Sequence, residues 1–463
     1  MKNRKITKRV YYALDVVLKS PLSVSGGQDL FSDSDVIRNG SGECFVPGTS
    51  LAGAFRNALK LDKKQPGIMG YAHEQDGSMS GIFLSDLYFD REGEKPVISL
   101  RDGVKLSDHK KVKNKFNMEI VETGARGTIF LNFIVRESEG KQKEGEQEEE
   151  KKEKENKEKR EEEEQRFEKA VSELILKLQS GTIRIGSRRT RGFGRLEIEK
   201  IYKREFSKDN LTDFISFKKN FRDRKRYDQK WDFESWKAAQ QKKYKALPDD
   251  TEYIKIRVPL KLDGGISIRR YSAQPDSPDY EHITCGEKPV IPGSSWSGAI
   301  RSGIRKILKE LGYENYRSLT EDWFGSIKDK SISGISRESA VVFSESVIEG
   351  AEAVSVTRNS INRFDGSTKD GALYSEIAWF GGTTNLEIFI KKDESRRYRE
   401  FLSILELVIQ DIQEGYLPVG GQVSIGRGIF YKNVDTVYTE KEEISSASLI
   451  DRLEMLNGQE ALR

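Results

Sequence analysis

The string Pro47-Gly48-Thr49-Ser50-Leu51-Ala52-Gly53-Ala54-Phe55-Arg56 returns 245 positions later as Pro292-Gly293-Ser294-Ser295-Trp296-Ser297-Gly298-Ala299-Ile300-Arg301. A pattern P-G-[TS]-S-x-x-G-x-x-R repeated at that distance points to one domain present twice. Pro-Gly ends an extended segment, and the Thr/Ser pair that follows is read as the cap of a helix start. Gly53 and Gly298 then fall near the first turn, where a missing side chain lets another backbone approach. A helix N-terminus favours phosphate, and Arg56 and Arg301 follow within two turns. The plainer reading is that these glycines only let the helix pack on a sheet.

The rest of the chain can be aligned around this repeat. Each copy opens with a strand, Arg9–Leu18 and Ile254–Leu260, the second alternating apolar and polar residues at period 2. Later strands, Thr128–Ile134 and Asn385–Ile390, lead to amphipathic helices. One carries Phe167, Ala170, Val171, Leu174, Ile175 and Leu178 on a stripe, the other Tyr398, Phe401, Leu402, Leu405, Ile409 and Ile412. These helices end at Gly181 and Gly415. Glycine-rich segments follow, Gly186–Leu196 with Arg188, Arg189, Arg191 and Arg195, and Gly420–Phe430 with Arg427. Cations beside bare N–H groups suit a polyanion backbone, although a glycine-rich segment is also an ordinary tight turn. The element order predicts an α+β fold, two tandem ferredoxin-like units of the kind used in RNA-recognition domains. The divisions read as 1–203, 204–250, 251–440 and 441–463, the last a helical tail.

Between strand and helix the first copy inserts a charged tract, 137–166. From Lys141 to Arg166 it has 12 acids and 9 bases, so the chain's net charge of +4 becomes +7 without it. Such a mixture suits a solvated helix extending from the Phe167 stripe, or a disordered segment. The connector 204–250 interleaves Phe221, Arg222, Arg224, Lys225, Arg226, Tyr227, Lys230, Trp231 and Trp236. It suits either single-stranded nucleic acid or an amphipathic segment docked on one domain. No apolar run is long enough to span a membrane, and Met1–Lys5 leads into strand-like sequence rather than a secretory signal. Cys44 and Cys285, the only cysteines, fit a reducing cytoplasm. With three scattered histidines, they cannot build a usual zinc site.

The loop before each Pro-Gly is acidic, with Asp29, Asp33 and Asp35 in one copy and Asp276, Asp279 and Glu281 in the other. Aligning Ile37 with Ile283 superposes Asp33 on Asp279 and Asp35 on Glu281. Carboxylates beside a ribose could accept the 2′-hydroxyl proton or hold a divalent cation. Loop aspartates also cap turns.

The acidic loops, the Val46–Gly53 and Ile291–Gly298 strings, the two glycine-rich segments and Lys369–Glu376 together resemble the RAMP superfamily. Within it they resemble the backbone subunits of type III CRISPR effector complexes, here as a tandem, type III-D-like fusion. The resemblance covers roughly Arg9–Tyr202 and Tyr253–Tyr438. It implies guide-RNA binding by each unit through Ser50, Gly53, Arg56, Arg188, Arg189 and Arg191, and through Ser295, Gly298, Arg301 and Arg427. It implies a thumb in each copy, about Ser99–Glu122 and Thr357–Glu376, that kinks the guide–target duplex. It also implies cleavage of bound target single-stranded RNA, dependent on Mg²⁺ or another divalent cation, with Asp33 and Asp279 as catalytic candidates. The metal ligands are unknown, and Thr284 stands where Arg38 stands in the first copy. Neighbouring RAMP subunits and the large subunit of the complex are the implied partners, with no membrane. Alternatives are a non-catalytic RNA-binding scaffold, or a guide-processing endoribonuclease relying on a histidine, for which only His282 lies near a candidate loop.

Overall fold

The computed structural model describes residues 5–27, 33–60, 68–73, 76–89, 93–106, 112–136, 146–243, 252–271, 278–326 and 334–438. The expected helical tail 441–463 and part of the charged tract, 137–145, lie outside these residues.

The first half builds β1 (Ile6–Leu18), α1 (Gly48–Ala58), β2 (Ile82–Leu84), β3 (Ile98–Leu106), β4 (Val112–Val121), β5 (Arg126–Arg136), α2 (Glu146–Ser180) and β6 (Leu196–Ser207). The main sheet has the order β6-β1-β5-β2, antiparallel throughout, with a further strand β7 (Gln229–Trp231) beside β6. That order is the ferredoxin-like one. The second half repeats it with β8 (Tyr253–Asp263), β9 (Arg269–Tyr271), β10 (Tyr280–His282), α5 (Gly293–Glu310) and β11 (Val341–Phe343). It continues through β12 (Glu352–Ile361), β13 (Thr368–Phe380), β14 (Thr383–Lys391), α7 (Tyr398–Gln413) and β15 (Ile429–Lys432), with an extra helix α6 (Tyr316–Phe324) after α5. Its sheet reads β11-β14-β8-β15, the same order again. The fold is therefore α+β, with two ferredoxin-like units.

Side-chain period explains each core. On β8 the residues Ile254, Ile256, Val258, Leu260 and Leu262 all face the helices and are buried. Both predicted helical stripes are buried in full. β1 is buried on both faces. Its Val10, Tyr12, Leu14 and Val16 join the helical core, while Ala13 and Tyr11 join an aromatic cluster on the opposite face with Phe206, Phe217 and Tyr227. The connector supplies that cover through α3 (Leu211–Lys219) and Tyr227, while α4 (Phe233–Lys243) sets Trp236 into the helical core. Tyr227 and Trp236 are 8% and 1% exposed, and Arg224 binds the buried Asp15 at 3.0 Å. The connector is thus a packed part of its unit.

Each expected thumb is a β-ribbon, β3 with β4 and β12 with β13. The charged tract enters α2 from Glu146, and Gly181 and Gly415 end the two helices at positive φ.

Packing divides the chain differently from sequence order. One compact unit comprises 1–99, 119–187 and 194–250; the other comprises 100–118, 188–193 and 251–463. The second unit therefore includes most of the first ribbon and the tip of the first glycine turn. Within it Arg101 and Glu345 form an ion pair, and Arg188 lies 4.6 Å over the Phe116 ring.

Candidate nucleic-acid interface

The two Pro-Gly helices start two or three residues earlier than capping by the Thr/Ser pair would require. Pro47 and Pro292 are the cap residues, and neither helix has a side-chain cap. The proline carbonyls accept from Ser50 and Leu51 at 2.9 and 3.2 Å, and from Ser295 and Trp296 at 2.8 and 3.3 Å. Ser50 and Ser295 consequently sit inside the first turn, half-buried. The Gly48 N–H donates to the Asp86 carboxylate at 2.7 Å, which leaves that donor unavailable to phosphate.

The glycines of the motif divide into two kinds. A Cβ on Gly48 would stand 3.1 Å from the Leu84 carbonyl, and one on Gly293 would stand 2.1 Å from that of Phe343. These are packing glycines. Gly53 and Gly298 are exposed, and nothing lies within 4 Å of where a Cβ would be. A glycine inside a helix costs about 0.5–1 kcal/mol relative to alanine, and no contact within the described residues offsets that cost. The two arginines that end the motif are held by the protein. Arg56 donates to the carbonyls of Met69, at 2.7 Å, and Gly70, and Arg301 lies 5.8 Å from the Phe324 ring centre.

The glycine-rich segments share one backbone. Arg188 (φ 55) and Gly192 (φ 92) flank a 3₁₀ turn at Arg189–Arg191, and Gln422 (φ 58) and Gly426 (φ 81) flank the same turn at Val423–Ile425. Each is strapped to the segment after the first strand of its copy. Ser187 N–H donates to Ser23 O and Gly421 N–H to Ser267 O, both at 2.8 Å. Gly194 N–H donates to Pro21 O and Gly428 N–H to Gly265 O, again at 2.8 Å. This register places Arg188 opposite Gln422 and Phe193 opposite Arg427. Arg191 is exposed, Arg188 and Arg189 are half-exposed, and Arg189 lies 3.6 Å from Glu338.

Arg427, expected to contact RNA, is only 4% exposed. It stacks 4.6 Å over Phe380 and pairs with Glu376 at 3.3 Å. Its counterpart Phe193 is also buried, so the position faces inward in both copies.

The acidic loops superpose as the alignment on Ile37 and Ile283 predicts. Ile37 N–H donates to Val24 O and Ile283 N–H to Ile268 O, both at 2.9 Å. Asp33 and Asp279 are both exposed. Each loop is clamped to the returning strand of its ribbon, Ser34 O accepting from Glu119 N–H and Tyr280 pairing with Glu376. Asp279 itself accepts the Ser375 N–H at 2.8 Å. Asp29 and Asp276 lie outside the described residues.

Arg38 is not a spare cation. It binds Glu119 through two nitrogens at 2.8 and 3.0 Å, and Glu119 also accepts the Val36 N–H. The Arg38 bond holds the Glu119 carboxyl below its ordinary range, burial opposing it. Thr284 in the second copy therefore lacks a clamp rather than a catalytic charge. His282 is 1% exposed; its Nδ1 accepts from Ile268 N–H at 2.9 Å, so Nε2–H donates to Val290 O at 3.0 Å. Burial, only partly countered by the Val290 bond, pushes the ring down to about 4. A neutral, sealed imidazole offers nothing to a substrate.

Among the described residues one group of three carboxylates could reach a common ion, Glu164, Glu168 and Glu205. Lys8 and Lys203 already pair with it, with contacts of 2.6–2.7 Å to all three. Burial pushes Glu205 up, but hydrogen bonds from Lys203 and Lys8 outweigh this and hold it at about 2. The group is a structural network. Asp33 with Asp35 offers one or two carboxylates, a donor set suited to Mg²⁺ that keeps its waters and shares an RNA phosphate. In the second copy Arg270 already binds Glu281 at 2.9 Å, which leaves Asp279 as the carboxylate on offer.

No helix among the described residues is long and apolar enough to cross a membrane. The family model of the RAMP superfamily matches residues 15–197 and 279–431, well over half of the chain and both copies of the fold. A comparison with curated proteins gave no match.

Proposed function

The chain belongs to the RAMP superfamily, and from that premise we propose that it is a guide-RNA-binding backbone subunit of a type III CRISPR effector complex that also cleaves complementary target RNA. The observation that carries RNA binding is the pair of exposed helical glycines, Gly53 and Gly298, at the same place in both copies with open space before them. A sugar-phosphate backbone can come close there without meeting a side chain. Arg188, Arg189 and Arg191 add cations in the first copy.

Cleavage is assigned to Asp33, and to Asp279 in the second copy. The target's 2′-hydroxyl attacks its own 3′-phosphate; the bond to the 5′-oxygen breaks, leaving a cyclic phosphate and a 5′-hydroxyl. Asp33 takes the 2′-hydroxyl proton, or would be the residue that holds Mg²⁺, and the leaving 5′-oxygen takes a proton from solvent water. When bound, that ion supplies positive charge to the phosphate oxygens. The chain's own part is to position: the β3/β4 and β12/β13 ribbons splay the strand so that the 2′-oxygen stands in line with the bond to be broken. The buried, neutral His282 speaks against a histidine-dependent guide-processing enzyme.

The test is the assembled complex with labelled complementary RNA and Mg²⁺. Asp33→Ala is expected to remove one cut and leave guide binding intact. Uncut target with wild-type complex would leave the chain a scaffold, and lost guide binding in the variant would make Asp33 structural.

A further inference from the structure

One carboxylate in the second unit collects three guanidinium groups. Glu376 on β13 is fully buried. It lies 3.3 Å from Arg427 on the glycine turn, 3.5 Å from Arg269 on β9 and 3.7 Å from Arg358 on β12. The Gln422 side-chain N–H donates to it at 2.7 Å. One negative charge among three positive ones leaves a net +2. Arg427 is consumed inside, stacked on Phe380, with a nitrogen 2.4 Å from where a Cβ on Gly265 would stand. Its Nη1 is sealed from solvent and has no hydrogen-bond partner.

The other two are different. The side chains of Arg269 and Arg358 remain 35% and 31% exposed. Both are held in place: Arg269 lies 4.3 Å over the Tyr280 ring, and Arg358 sits in the ribbon opposite Tyr374. The candidate Asp279 is next to Tyr280 and accepts from Ser375, the neighbour of Glu376. Among the described residues the first copy has no such set. The register that pairs Ser23 with Ser267 puts Ser25 opposite Arg269, and the turn register puts Phe193 opposite Arg427.

We propose that Arg269 and Arg358, oriented by Glu376, form a phosphate-binding site for the RNA strand that passes Asp279. The ligand is a phosphodiester, met by two pre-aimed guanidinium forks. The site rests on the reading of the chain as an RNA-binding subunit and gives the second copy cations that its glycine turn lacks.

The experiment compares wild-type complex with Arg269→Gln/Arg358→Gln, using guide RNA alone and guide with complementary target, over a salt series. The double variant is expected to bind at least about tenfold more weakly, and its log K against log[salt] slope to flatten by about 0.7 for each phosphate released. Loss with guide alone assigns the phosphate to the guide, and loss only with target assigns it to the target. Arg269→Lys/Arg358→Lys keeps the charge, so it is expected to restore the slope, and it carries the test if the glutamine variant does not fold. Unchanged affinity and slope in the glutamine variant would overturn the site while wild-type binding upholds the RNA-binding reading. A wild-type complex that binds no RNA would overturn both.

Discussion

Arg101 and Glu345 stand 244 residues apart in sequence and pair inside one compact unit, with side chains 4% and 5% exposed. A second contact joins Arg101 Nη2 to Glu345 Oε1 at 3.1 Å. Removing one partner strands a buried charge, which costs about 3–5 kcal/mol. Glu345→Gln should therefore lower the denaturant midpoint of the full chain clearly. Arg101→Met combined with Glu345→Met should cost far less than the single change, since no charge is left unpaired.

The glycine turns depend on Gly194 and Gly428. A Cβ on either would fall 1.8 Å from Ile185 O or 1.9 Å from Val419 O, at φ of 76° and 71°. Gly194→Ala and Gly428→Ala should each destabilise by more than about 2 kcal/mol, the αL cost plus the overlap. Gly42, at φ 80° with open space around it, is the control. Gly42→Ala should cost only about 1 kcal/mol. Urea unfolding of the three variants measures the difference.

His282 gives the fold a pH dependence of known sign. Its folded pKa, about 4, lies below the ordinary value of 6.5, so the unfolded chain binds the proton first as pH falls. The contribution is full above pH 6.5 and is lost between 6.5 and 4, by about 3 kcal/mol in all. Stability measured across that window should fall in wild type and fall less in His282→Gln. An equal slope in both would assign the dependence to other groups.

Much of this was legible in the residues themselves. Period-2 and helical stripes placed the two central strands of each sheet and the long helix packed on them, but not the outer strands Ile82–Leu84, Leu196–Ser207, Val341–Phe343 and Ile429–Lys432. The Ile37–Ile283 alignment found the equivalence of the acidic loops that the 2.9 Å amide bonds then confirm. Four things were hidden for physical reasons. Thr49 and Ser50 have capping chemistry, but the proline carbonyl takes the first N–H bonds, so the helix starts before them. Arg427 looks like any arginine in a glycine-rich turn, and only its register against the buried Phe193 shows that it faces inward. Glu376 was visible as a residue, but the three arginines around it come from β9, β12 and the glycine turn, which only the fold brings together. The packing of 100–118 with the far half of the chain likewise has no local signal.

The exposed helical glycines carry the account, and changing them separates stability from binding. Gly53→Gln with Gly298→Gln puts good helix formers at open positions, so the chain should be at least as stable, by about 0.5 kcal/mol per site. The measurement is guide-RNA affinity at moderate salt beside a thermal melt. The expected result is an unchanged or higher melting temperature and affinity reduced at least about tenfold; full affinity in a stably folded variant would show that RNA does not approach these glycines.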